Sequence, residues 1–336
     1  YFNSNLILLG AVVIKFLKFS FKIVKMDKIT SLNSVLLPLQ LSGLQFFDIS
    51  SLSKPQTSSC SRLKFKIFFI AMFPLYTLIS SYYYIRGFVA FEDVSSAHNF
   101  LQYEFKIITY GGRFFIIGIA MIESYTSTSK IQQILINACK FSAIIEREFR
   151  SFRHSKYEEL KSVMKRRLII SAFLITSLEL LPFVFFENPL EKLPLSLAKL
   201  FGATIISMVI YKFCLYVDLI NFHINILASI IQKHFHDNSN LSESEKGRKF
   251  NQIRLCLIHI LEMAKCLNES VTYTMPLLIG IIIMCLIRRA YRFYALFSGQ
   301  LHLKAFFTTL LNNTSEELAY IIGLCYCCNR TEDFVS

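Results

Sequence analysis

A chain of 336 residues that is 54% hydrophobic, with 33 Phe and a mean hydropathy of +0.46, is too apolar for a water-soluble domain of its length. Its formal net charge of +13 would suit nucleic acid on a soluble protein. On a chain this apolar, basic residues belong in loops facing the cytoplasm, so no nucleic-acid partner is expected. The 9 cysteines are scattered, and Cys325 to Cys328, the sole CxxC spacing, has neither a second pair nor a nearby His. Cys325, Cys327 and Cys328 therefore read as part of a plain loop rather than a lipid or metal site, and neither metal nor cofactor is expected.

The chain begins with Tyr1, and the apolar run Leu6 to Ile14 is followed by Lys15, Lys18, Lys22 and Lys25. A signal peptide carries its basic residues before the apolar run. Residues 1–25 are thus expected to be upstream translation, with Met26 the natural start and 26–66 a cytoplasmic N-terminus. Ile67 to Ile85 then has no charge, and about 20 apolar residues in a helix cross the roughly 30 Å of hydrocarbon in a bilayer. Comparable spans are expected at 67–86, 105–123, 168–186, 198–220 and 270–287. A weaker sixth at 294–311 is broken by Gly299, His302 and Lys304. Residues 67–312 form one membrane domain and 313–336 a cytoplasmic loop. The expected fold class is all-α, a polytopic membrane helix bundle with its N-terminus inside.

That orientation follows from the loops, where Lys and Arg mark the cytoplasmic side. Segment 26–66 holds Lys28, Lys54, Arg62, Lys64 and Lys66, whereas 87–105 holds no basic residue and 124–167 holds ten. Loop 187–199 has Lys192 and Lys199, and 233–254 has Lys233, Lys246, Arg248, Lys249 and Arg254. Arg288, Arg289, Arg292 and Lys304 fall on the outer side and run against the rule.

The cytoplasmic loops carry helical periodicity. Ile134, Leu135, Ala138, Phe141, Ile145, Phe149 and Phe152 recur at helical spacing within 124–167, so the second or third span extends inward as an amphipathic helix. The fourth span runs on through Ile220, Ile224, Leu227 and Ile231 and breaks at His236 to Asn240. Ser242 and Glu245 then fit a capping box. Behind them Phe250, Ile253, Leu257, Ile260, Leu261, Ala264, Leu267 and Val271 form one stripe leading into the fifth span. The inner extensions 221–269 are expected to pair as a long antiparallel hairpin whose stripe is buried on its own neighbours or on other subunits.

The run RLCLIHILEMAKCLNESVTYTMPLLIGIIIMCLIRRAYRFYALF (254–297) resembles the fifth helix of the insect gustatory receptors, through Arg254, His259, Leu267, Asn268 and Tyr291 to Tyr294. MDKITSLNSVLLPLQLSGLQFF (26–47) is similar to the cytoplasmic N-terminus of that family. The resemblance covers roughly residues 26–330 and extends to the sister odorant receptors. The family's signature, Thr-Tyr followed by apolar residues and Gln-Phe in a seventh helix, is not met before Ser336, and Thr272-Tyr273 is no substitute. Six spans of a seven-helix fold are thus expected here, in a fragment or truncated gene product. The resemblance implies a ligand-gated cation channel for small tastants in the plasma membrane of a sensory neuron. It would be a homo- or hetero-tetramer with other chemoreceptor subunits, and it would not be an enzyme.

The resemblance also implies a tastant pocket in the outer halves of the spans. Ionisable groups inside a bilayer are costly and face a partner or a cavity. Arg113 and Glu179 fall at similar depth and are candidates to flank the pocket, with Tyr76, Tyr110, Tyr211 and Tyr273 offering hydroxyls. An ion pair that only fixes helix register is the alternative. Lys212 lies nearer the inner end, where it can snorkel. His234 and His236 read as a solvated turn. Asn240, Asn268 and Asn329 fall on cytoplasmic segments, and glycosylation at Asn312 or Asn313 would overturn the topology. A G-protein-coupled receptor would reverse the orientation. A secondary transporter, the remaining alternative, would show a repeat, and none is visible beyond Pro74, Pro182 and Pro276 interrupting spans.

Overall fold

In the computed structural model the residues described are 33–42, 44, 45, 74, 78, 81, 82, 97–149, 160–170, 172, 173, 177, 189–236, 242–298, 321 and 325. All secondary structure among them is helical. The first span expected at 67–86, the outer part of the third, and the sixth beyond Ser298 lie almost wholly outside the described residues.

Six helices position everything that follows: α1 (Asn33–Leu41), α2 (Ala97–Thr126), α3 (Thr128–Glu148), α4 (Pro189–His236), α5 (Glu243–Ser270) and α6 (Thr274–Phe297). A further helical stretch covers 160–170. The expected helical extension continues the segment of the second expected span rather than the third, because α2 passes into α3 with a single break at Ser127. The fifth span begins at Thr274 rather than 270, since α5 and α6 are separated by a turn at residues 271–273. The helix itself continues beyond 287, through Arg288 and Arg289 to Phe297, because no Gly or Pro interrupts the backbone between Ile281 and Ser298. At the start of α5 the Ser242 side chain accepts from the Glu245 amide at 3.4 Å, as its spacing with Glu245 predicts.

Two apolar cores form. One joins Val35, Leu36 and Leu39 of α1, Ile134, Leu135 and Phe141 of α3, Met164 of the 160–170 stretch, Tyr216 and Leu219 of α4, and Cys256, Ile260 and Met263 of α5. The other joins Ile116, Ile117 and Met121 of α2, Ile205, Ile206 and Ile210 of α4, and Met275, Leu278 and Ile282 of α6. Helix α4, with 48 residues, lines both cores along its length, and α2 reaches the first core as well through Ala120. At 1.5 Å per residue it is about 72 Å long.

Around these cores the helices pair. Helix α3 packs on α5 more extensively than any other two elements meet, and α2 packs on α6. The α3–α5 pair is antiparallel, with Lys130 bound to Glu269 at 2.9 Å at one end and Arg248 3.6 Å from Glu148 at the other. Helix α5 therefore finds its main partner in α3 as well as the expected one in α4. Its apolar stripe divides accordingly: Cys256, Ile260, Met263 and Leu267 are buried, while Phe250, Leu257, Leu261 and Ala264 are exposed. Residues 256, 260, 263 and 267 lie on one helical face and 250, 257, 261 and 264 on another, so α5 has two apolar faces and the protomer covers one.

Among the described residues two helices are long and apolar enough to cross a membrane, within Gly202–Lys233 and Thr274–Tyr291, and Phe114–Thr126 of α2 is a shorter apolar stretch. The first is mostly buried against its neighbours, and the second leaves Leu277, Ile279, Ile283, Leu286 and Ile287 exposed.

Candidate functional site

The two cores meet at a layer of buried polar side chains. Glu123, near the end of α2, is 7% exposed. Its carboxylate accepts the backbone N–H of Tyr273 at 2.9 Å and that of Thr274 at 3.0 Å, and the Thr274 hydroxyl also donates to it. These amides open α6 and have no intrahelical acceptor, so a carboxylate borrowed from α2 caps α6 where Tyr273, its own N-cap, offers no side-chain bond. Lys212 of α4 is buried, donates to the Ser124 hydroxyl at 2.9 Å and is attracted electrostatically by Glu123. It is held in the interior rather than extended to an interface. A buried charge pair needs such added hydrogen bonds to offset the loss of water.

A second polar set ties α1 and the 160–170 stretch to α4. Arg167 pairs with Asp218, the Tyr216 hydroxyl donates to Gln45 Oε1 at 3.2 Å, and the Tyr211 hydroxyl donates to the Val35 carbonyl at 3.4 Å. Deeper in the same core, His223 stands edge-on to Phe141 with ring centroids 4.6 Å apart, and its Nδ1 lies 2.6 Å from the Leu219 carbonyl. In the α3–α5 pair burial pushes the Cys256 thiol up to about 11 and the Cys139 thiol above its ordinary value, which keeps both protonated and poorly nucleophilic. The hydrogen bond from Lys130 holds the Glu269 carboxyl below its usual 4.5.

Among the residues expected to form a ligand pocket, Tyr76 and Glu179 lie outside the described residues. Tyr110 and Arg113 belong to α2 by their backbone, and their side chains lie outside the description as well. Tyr211 is buried against α1, while the Tyr273 side chain is 67% exposed at the α5–α6 turn with its backbone on Glu123. The structure therefore does not bring Tyr211 and Tyr273 to one described cavity. Among the described residues no cluster of His, Cys, Asp or Glu could hold a metal ion.

Sequence reasoning missed Glu123, Ser124 and Thr274. The signal available was the density of hydroxyls at the span ends, Ser124 to Ser129 on one side and Ser270 to Thr274 on the other. In comparisons with known proteins no family model, no curated protein and no solved structure matches the chain.

Proposed function

We propose that the chain is a subunit of a multi-pass membrane receptor of the insect gustatory type, a ligand-gated cation channel opened by small tastants. The observation that carries the membrane part is the exposed face of α6: Leu277, Ile279, Ile283, Leu286 and Ile287 leave an apolar surface along a helix of membrane-spanning length, and Phe115 and Ile122 continue it on α2. Hydrocarbon covers such a surface at no cost, whereas water does not. The chemosensory part rests on the resemblance of 26–47 and 254–297 to that family. The uncovered stripe Phe250, Leu257, Leu261 and Ala264 on α5 supports assembly, with equivalent stripes meeting in a tetramer of like or related subunits below the membrane.

An odorant receptor of the same superfamily fits the same observations. A secondary transporter is favoured less, because Glu123, Lys212 and Asp218, three of the buried ionisable groups on which a carrier could draw, are engaged by fixed helix partners. Reconstitution in liposomes separates these readings. A channel passes Na⁺ and K⁺ down their gradients without coupling when the tastant is added, whereas a carrier shows saturable, ion-coupled uptake of solute. Tastant-independent coupled uptake would overturn the channel proposal.

A further inference from the structure

Both helix interruptions are built in the same way. At the first, the hydroxyls of Thr126, Ser127 and Thr128 turn back onto carbonyls of the preceding turn: Thr126 reaches Ile122 O at 3.1 Å, Ser127 reaches Glu123 O at 2.5 Å, and Thr128 reaches Ser124 O at 2.9 Å. At the second, Ser270 donates to Leu267 O at 2.8 Å and Thr272 to Asn268 O at 3.0 Å. At Glu123 O the Ser127 hydroxyl adds to the Ser127 amide, 2.8 Å away, and at Asn268 O the Thr272 hydroxyl adds to the Val271 amide, so these hydroxyls give carbonyls at the breaks a second donor that follows them through a range of bend angles. The two breaks lie at one level, because the Glu123 carboxylate four residues before Ser127 holds the Tyr273 and Thr274 amides. On one side of that level α2 and α6 are closely seated, since a Cβ on Gly112 would come within 2.6 Å of Ile281 Cδ1. On the other side α3 and α5 are fastened at both ends by Lys130–Glu269 and Arg248–Glu148.

We propose that Ser127 and the Val271–Tyr273 turn form one double hinge, latched by Glu123, about which the α2–α6 pair bends as a unit relative to the α3–α5 pair. A break in one helix alone would be splinted by an unbroken neighbour. Two breaks in register remove the splint that each helix would give its pair partner and leave the unbroken α4 as the helix against which the joint moves, with the bridging carboxylate setting how freely it opens. Lys212 steadies the latch from α4 through Ser124. The hinge does not depend on the channel reading, because it concerns the coupling of two helix pairs whatever the outer pair binds.

The test uses the full chain in detergent micelles with Glu123→Gln, which keeps the shape of the side chain and removes its charge. Hydrogen exchange of the amides at 272–275 should speed up about tenfold while those at 256–267 are unchanged. Spin labels at Ile283 and Lys140, one on each pair, should give a broadened distance distribution, and labels at Phe115 and Ile283, both on the outer pair, an unchanged one. Thr274→Val, which removes one donor and leaves the backbone, should act in the same direction with about a threefold faster exchange, and it serves if the Gln variant does not fold. Unchanged exchange at 272–275, or equal broadening of both distance distributions, would overturn the hinge.

Discussion

The two helix pairs share one spine, α4, and one joint, yet they present opposite surfaces. Outward from the α2–α6 pair stand Phe115, Ile122, Leu277, Ile283 and Leu286 with no charge among them. The α3–α5 pair exposes Lys140, Glu146, Arg147, Arg254, Glu262 and Lys265 among the apolar residues Phe250, Leu255, Leu257, Ile258 and Leu261. The interiors are alike, closely packed Ile, Leu and Met in both. On the proposed membrane reading the difference is one of solvent, hydrocarbon on one side of the joint and water on the other, with the buried hydroxyls, Glu123 and Lys212 at the change.

The comparison is broken most severely through the core of the α3–α5 side. Phe141, fully buried against His223, should cost about 3–5 kcal/mol when replaced by Ala, read as a fall in the unfolding midpoint. Leu278→Ala on the outer pair, 2% exposed, should cost about 2–5 kcal/mol in lipid, so both cores count alike despite their different surroundings. Asp218→Asn should cost about 1–3 kcal/mol, because it takes the carboxylate away from Arg167 while keeping the shape. Leu261→Lys alters an exposed position and should leave protomer stability within about 0.5 kcal/mol. If the α5 stripe joins subunits, the same change should shift the assembly to smaller species in size-exclusion chromatography with light scattering. The smallest effect concerns acid. Glu269 has a depressed folded-state carboxyl value, so its link to Lys130 favours the fold above the ordinary 4.5 and is lost as the pH falls through the lower folded value. Glu269→Gln should flatten the acid limb of stability there, and an unaltered limb would show that the link contributes nothing.

The helices themselves were legible in the sequence because periodicity survives whatever surrounds it. The helical extension through Ile134, Phe141 and Ile145, the Ser242 side chain capping α5, and the continuation from α5 toward α6 all stand in the fold. Less visible was the division of the α5 stripe, since Leu257 and Ile260 are equally apolar and only the position of α3 decides which is covered. Glu123 could not be singled out at all: one carboxylate near the end of an apolar run looks like a boundary residue, and its value comes from amides 150 positions away in the chain. The bond from the Tyr211 hydroxyl, a candidate ligand contact in the sequence, to the Val35 carbonyl was likewise invisible in the sequence, since the two lie 176 positions apart.

The absence of Trp from the sequence supplies the most direct test of the two-solvent account, because a single introduced Trp is then the only indole reporter. Ile283→Trp on α6 and Arg254→Trp on α5 are compared in vesicles made with and without brominated acyl chains. The account predicts blue-shifted emission strongly quenched by brominated lipid at position 283, and red-shifted, unquenched emission at position 254. Equal quenching at both positions, or none at 283, would contradict it.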